Sequence, residues 1–249
     1  TPNTFGNFSI SSFTLPTAFG KSDETGSQAF DDFRNNRLAI ARRLAVQNGS
    51  DPNDVDDDGY PKGFGKTSQQ VLLPAFVSAY TGQNTSKTKL GALRNVPIPN
   101  WDVKYSGFMK MNWFKKRFKR FSLTHGYRSS YSIGQFRTNL DYDGIDYGLD
   151  YDLQPSEDLD QAGNFKSEKL YSSVTLTEMF SPLFRFDMEM KNSVRILLEM
   201  RKDRMLSLSF DNNLMTEIAG NEYVVGLGYR IKDLRIKSNL AGPKKAIVS

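Results

Sequence analysis

Apolar and polar residues exchange places at every step from Phe184 to Met200. Phe184, Phe186, Met188, Met190, Val194, Ile196, Leu198 and Met200 hold even positions, interrupted by Asn192. Arg185, Asp187, Glu189, Lys191, Ser193, Arg195 and Glu199 hold odd ones, with Leu197 the exception. The alternation returns at Leu206, Leu208 and Phe210, and again at Tyr223, Val225, Leu227, Tyr229 and Ile231. A period of two means strands with one apolar and one polar face. Wound as a helix at about 100° per residue, the same charges would scatter and leave no apolar stripe. Odd-length loops preserve the phase, so turns are expected at Lys191–Ser193 and Lys202–Arg204. The phase change between Ile218 and Tyr223 predicts a Gly-first hairpin at Gly220-Asn221. The pattern therefore predicts an antiparallel meander of strands about eight to ten residues long, close to the 9–11 of a tilted membrane strand. A slip of one residue would bring Arg and Glu to the apolar face, which fixes the register.

Elsewhere the rhythm changes. Residues 1–20 read as a strand with loose ends, and Ser27 or Asp31 caps a helix that Asn48-Gly49 stops. Arg34, Arg37, Arg42 and Arg43 on that helix form a solvated face rather than an anion site. Residues 50–66 are a loop, and Ser68–Tyr80 is a helix kinked or broken at Pro74. A polar linker over 81–100 leads to a strand with Val103, Tyr105, Met109, Met111 and Trp113 on one face. One or two strands over 118–140 carry Phe121, Leu123 and Tyr127 at alternate places. The acidic stretch 141–165 is a long exposed loop, Lys169–Glu178 is a strand, and the tail after Ile236 is extended and poorly tied down.

Composition narrows the class. The chain is 38% hydrophobic with a mean hydropathy of -0.52, and no apolar run approaches the ~18 residues of a membrane helix. A helical membrane protein is excluded, but a membrane β-barrel is not, because alternation hides its lipid face from any average. The absence of cysteine rules out disulfides and thiolate metal sites. The chain begins at Thr1 without an initiator Met or a signal peptide, so it is expected to be a piece of something longer. A net charge of +5 matters for partners only where the cations cluster.

Candidate chemistry is sparse. Asp54, Asp56, Asp58 and Gly59 match the first half of a calcium loop, but Gly65 stands where its final bidentate acid belongs. A solvated acidic turn is the favoured reading. Gly59–Thr67 resembles a phosphate loop with the first glycine one place too early. From Trp113 to Phe121, five cations stand among four aromatics. Such a cluster serves either single-stranded nucleic acid, by stacking and phosphate contact, or a barrel turn at a membrane boundary. The strands on both sides favour the turn. His125, the only histidine, shares the parity of Leu123 and Tyr127, so a boundary-facing or packed imidazole is expected, not a catalytic base. Neither an enzyme nor a cofactor is expected.

Three segments resemble one family. Gly63-Phe64-Gly65-Lys66-Thr67-Ser68-Gln69-Gln70-Val71-Leu72-Leu73-Pro74-Ala75-Phe76, continuing to Tyr80-Thr81-Gly82, is similar to the C-terminal region of the SprA/Sov family. So are Pro97-Ile98-Pro99-Asn100-Trp101-Asp102-Val103-Lys104-Tyr105 and Tyr223-Val224-Val225-Gly226-Leu227-Gly228-Tyr229. The likeness extends over nearly the whole chain. Members form the outer-membrane translocon of the type 9 secretion system in Bacteroidota and are associated with gliding motility.

The resemblance implies an all-β transmembrane fold, part of a very large single-chain barrel, in which this chain is a C-terminal fragment. Residues 1–26 and 101–236 would supply strands, 27–100 a helical and loop insertion, and 237–249 a tail. Phe184, Phe186, Met188, Met190, Ile196, Leu198, Tyr223, Val225, Leu227 and Tyr229 would face lipid. Arg185, Asp187, Glu189, Lys191 and Arg195 would face a water-filled lumen. Implied partners are the rest of the translocon polypeptide, a PorV-type shuttle barrel, a periplasmic plug, cargo with a C-terminal sorting domain, and lipid or lipopolysaccharide, but no nucleic acid. The alternative is a soluble β-sandwich with the apolar parity as its core and 113–121 as a site for nucleic acid or other polyanions.

Overall fold

Strands far longer than the local alternation suggests dominate the computed structural model, which describes residues 3–20, 22–23, 26–142, 159–231, 234–236 and 246–248. β1 (Phe5–Ser11) is followed by a two-residue hairpin of β2 (Ser22–Asp23) and β3 (Gly26–Ser27), then α1 (Gln28–Gln47) and α2 (Gln69–Thr81). β4 (Trp101–Tyr105), α3 (Asn112–Arg117) and β5 (Phe118–Thr138) precede β6 (Lys169–Met190), β7 (Val194–Ser209) and β8 (Met215–Tyr229). β9 (Leu234–Ile236) pairs with β10 (Ala246–Val248). The main sheet has six strands in the order β1-β5-β6-β7-β8, with β4 also on β5. β1 and β4 run antiparallel to β5. Among the described residues the sheet is open, with β8 last in the order and not closed on β1. Among the described residues no helix is long and apolar enough to cross a membrane, which leaves strands unaddressed.

Several expected boundaries are corrected. The turn after β6 falls at Lys191–Ser193 as expected, with Ser193 at φ 69°. Lys202–Arg204 is not a turn, because β7 runs through it unbroken. The reversal comes at 210–214 instead, where Asn213 takes φ 55°, a backbone state Asn tolerates better than most residues. Gly220-Asn221 is likewise inside β8; a Cβ at Gly220 would sit 2.8 Å from the Asp203 carboxylate, so the glycine makes room for a neighbour instead of turning the chain. Residues 118–138 form one strand, and the segment expected as Lys169–Glu178 continues to Met190. Met109, Met111 and Trp113 are not on a strand: 107–110 is a 3-10 turn, and 112–117 is α3. Pro74 lies inside an unbroken α2. In the tail, 246–248 is paired, not loose. Most of the acidic loop 141–165, residues 143–158, lies outside the described residues.

The chain divides into two compact units. The first comprises 1–100, 128–178 and 204–219. Its helices form where the local chemistry predicts: Ser27 Oγ accepts from the Phe30 amide at 3.2 Å, and Gly82 closes α2 at φ 69°. α2 is buried from Val71 to Thr81, as its largely apolar sequence there requires. Phe33, Ile40 and Leu44 of α1 join Val71, Phe76 and Tyr80 of α2 in a core with Tyr131, Ile133, Val174, Leu176, Leu206 and Leu208 of the sheet. Among the described residues the core is therefore helix on sheet.

On this unit's other strand parity, hydroxyls form rungs across four strands. Ser9 meets Ser132 at 2.9 Å, Ser130 meets Thr177 at 2.6 Å, and Thr175 meets Ser207 at 3.3 Å.

One glycine in this unit carries a measurable prediction. Gly63 has φ +82°, and a Cβ there would fall about 2.1 Å from the Phe165 ring, which packs on Phe64 at 5.2 Å. Gly63→Ala meets both strained backbone and a blocked ring, so it should cost about 1–3 kcal/mol. A urea midpoint indistinguishable from wild type would refute this.

The second unit comprises 101–127, 179–203 and 220–249. It contains β4, α3 and the neighbouring parts of β5–β8. Here Gly126 leaves room for the Ser181 carbonyl, 3.0 Å from where its Cβ would be.

Candidate membrane-facing surface

Period two gives the second unit two faces of opposite chemistry. On one face lie Phe184, Phe186, Met188, Met190, Ile196, Leu198, Tyr223, Val225, Leu227 and Tyr229. Among the described residues no other element covers β8 there: Tyr223, Val225, Leu227 and Tyr229 are 68–78% exposed. Phe184 and Leu198 are also exposed, while Phe186, Met188, Met190 and Ile196 are half-buried. Monomeric soluble proteins rarely leave so continuous an apolar surface open to water. Ile218, expected on this face, is on the opposite parity and exposed, because β8 does not turn at Gly220.

Aromatic side chains gather at one end of this apolar band and again part-way along it. At one end Trp101 stacks on Tyr127 at 4.5 Å, and Tyr127 packs on Phe180 at 5.1 Å. His125 belongs to this end; its Nδ1 lies 2.6 Å from the Leu183 carbonyl, the packed imidazole that its parity predicts. Towards the β6–β7 hairpin Phe108, Phe114 and Phe118 surround Phe121, at 5.4, 4.8 and 5.5 Å, and Phe121 reaches Phe186 at 6.1 Å. From Phe180 to Met190 the strand rises roughly 33 Å at about 3.3 Å per residue. Tilted by about 40°, that length covers roughly 25 Å, the height of the apolar band of an outer-membrane barrel.

The odd face of β6 and β7 is charged and internally compensated. Glu189 lies 3.4 Å from Lys119 and 3.7 Å from Arg195; Asp187 lies 3.0 Å from Arg120. Glu199, buried, holds Arg185 at 3.3 Å and Arg201 at 2.6 Å, and Arg201 continues to Glu222 at 3.2 Å. Four of the residues expected on this side, Arg185, Asp187, Glu189 and Arg195, thus belong to ion pairs linking β5 to β8. Lys191, the fifth, is on the hairpin, exposed and without an ion pair among the described residues. Glu199, Arg201 and Glu222 are members that the sequence reading did not single out, although their alternation was visible.

A second charged pair was missed altogether. In the first unit Arg204 and Glu178, both buried, approach to 3.2 Å on the parity that is otherwise apolar. Thr14 Oγ1 donates to Glu178 Oε1 at 2.7 Å, and Arg204 donates to the Thr17 carbonyl and hydroxyl at 3.0 and 2.9 Å. Thr17 in turn donates to the Tyr80 carbonyl at 2.6 Å, so the pair ties the segment after β1 to α2 and the sheet. Two opposite charges in an apolar register were the available signal.

The weak metal candidates do not converge. Asp56 Oδ1 accepts the Asp58 and Tyr60 amides, both at 2.9 Å. Asp54 takes Lys62 at 2.7 Å, and Asp58 takes Lys66 at 3.0 Å. The hydrogen bond and charge of Asp54 hold the Lys62 ammonium above its ordinary pKa. Among the described residues, no group of three His, Asp or Glu side chains is arranged to hold a metal ion. No protein-family model matches this chain, and no curated protein matches it.

Proposed function

We propose that this chain contributes strands to a very large outer-membrane β-barrel, the protein-conducting translocon of type 9 secretion. The observation that carries the reading is the uncovered apolar band of the second unit, flanked by clustered aromatics and backed by a charged face. An outer-membrane barrel strand has this anatomy, with lipid on one parity and water on the other. The resemblance of three segments to the SprA/Sov family supplies the kind of barrel. The open sheet fits a part of it, because each unpaired backbone group in lipid costs several kcal/mol and further strands must close the edge.

Under this proposal, Arg185, Asp187, Glu189, Lys191 and Arg195 line a lumen wide enough for folded cargo. The remaining strands come from the same polypeptide. The shuttle barrel, the periplasmic plug and cargo bearing a sorting domain are its partners, gliding motility its wider setting, and the outer membrane its location. The helices of the first unit and the acidic loop are the segments available for gating or docking.

Cell fractionation tests the proposal. The chain should sediment with outer membranes, resist extraction by salt and need detergent to purify. A polypeptide that stays monodisperse in plain buffer, with cooperative melting, would sink the pore and favour the soluble polyanion-binding alternative.

A further inference from the structure

Cations in the second unit fall into two groups. Lys119, Arg120, Arg185, Arg195 and Arg201 each have an acidic partner. Lys110, Lys115, Lys116, Arg117 and Lys191 are exposed, and among the described residues none has an ion pair. No Asp or Glu occurs between Gly107 and Arg117. These five share one end of the unit: the Arg117 carbonyl accepts the Lys191 amide at 3.1 Å, joining α3 to the β6–β7 hairpin. Beside them Met111 and Trp113 are more than half exposed, and the Arg117 guanidinium covers the Trp113 ring at 4.8 Å.

Clustered cations beside exposed apolar side chains fit phosphates that carry acyl chains. A single strand of nucleic acid would need a series of open rings on which bases stack. That series is absent among the described residues here, since Phe108, Phe114, Phe118 and Phe121 spend their faces and edges on one another. Trp113, the exposed ring, already carries a guanidinium. We infer that the segment Gly107–Arg117, with Lys191, docks on anionic phospholipid head groups at the bilayer surface, Trp113 and Met111 entering the acyl boundary. The inference rests on the membrane reading above and adds the lipid class and the residues that select it. Aromatic rings at the head-group level with cations reaching phosphates are the usual chemistry of that boundary.

The full chain, diluted from detergent onto phosphatidylcholine vesicles with or without phosphatidylglycerol, provides the test. Basic residues near an anionic surface contribute about fivefold each at low salt. Phosphatidylglycerol should therefore raise wild-type partitioning, by far more than it raises that of K110Q/K115Q/K116Q. The triple variant should lose roughly tenfold to a hundredfold of the gain while binding phosphatidylcholine normally. A control of equal charge change away from this end, K66Q/K87Q/K89Q, should keep the gain, and added salt should erase it in wild type. Equal gains in wild type and K110Q/K115Q/K116Q overturn the inference and leave the membrane reading standing. The same follows if a single-stranded oligonucleotide displaces wild type from the anionic vesicles and depends on the same lysines. Failure of every variant to bind either vesicle overturns the membrane reading itself.

Discussion

Leu198→Arg should weaken stable insertion of this chain into a bilayer by about 2–4 kcal/mol, whereas Leu197→Arg should be nearly neutral. The two residues are adjacent, equal in size and equally apolar, so composition and propensity predict no difference. They differ only in the face of β7 they occupy. Leu198 lies on the uncovered apolar face with Ile196 and Met200, near the middle of the band. Leu197 lies opposite, its Cβ 3.2 Å from where a Gly226 Cβ would be, among the ion pairs of Arg195, Glu199 and Arg201. An arginine at 197 joins that charged side. An arginine at 198 must strip its hydration or drag water into hydrocarbon. Depth supplies an internal control: Met190→Arg, beside the hairpin, should cost only about 0–1 kcal/mol. Refolding from urea into lipid vesicles measures all three. Equal costs at 197 and 198, or no gradient between 198 and 190, would show that lipid does not lie on the even face.

Glu178→Ala should destabilise the chain by about 3–5 kcal/mol, read as the urea midpoint in detergent. The substitution leaves the Arg204 guanidinium in a low-dielectric core without its carboxylate, and Thr14 Oγ1 loses its acceptor. Arg204 cannot escape by deprotonation, and it is itself bonded to Thr17. The cost is that of an orphaned charge rather than the worth of the pair, which the double variant separates. Glu178→Met with Arg204→Met removes both charges and should recover most of the loss, because apolar replacements of a buried pair are often neutral. If the double variant is as unstable as the single one, Arg204 acts through its grip on Thr17 and not through charge balance. If the single variant is as stable as wild type, water reaches the pair and the core is looser than its burial implies.

Much of this was legible in the residues, and the failures have particular causes. The parity of the strands, the α1 cap at Ser27 and the hairpin at Lys191–Ser193 follow from alternation and local hydrogen-bond chemistry. Lys202–Arg204 deceived because an odd polar run keeps phase equally well in a turn and in a continuing strand. Only the partner decides, and Glu178 is 26 residues away in sequence (204 less 178). Gly220-Asn221 has the composition of a hairpin turn, but its glycine is needed for the neighbouring Asp203 side chain. Pro182 and Ser181 concealed the length of β6, since proline inside a strand ordinarily argues against one. Over 107–117 the alternation was coincidental: α3 and its 3-10 turn are set by packing of Phe108 and Phe114 onto Phe121, a contact no local window contains. On the surface itself, the apolar face could be read directly. The unpaired cations could not be told from the paired ones, because pairing depends on which strands are neighbours.

In the proposed pore, the hydroxyl rungs of β1, β5, β6 and β7 would have a consequence for transport. Side chains such as Ser132, Thr177 and Ser207 satisfy one another across the strands, so they present a polar surface with few free donors and no net charge. A folded passenger sliding over these rungs would find their donors already taken by one another, while Arg128 and Met205, exposed on the same parity, would offer it a cation and an apolar contact.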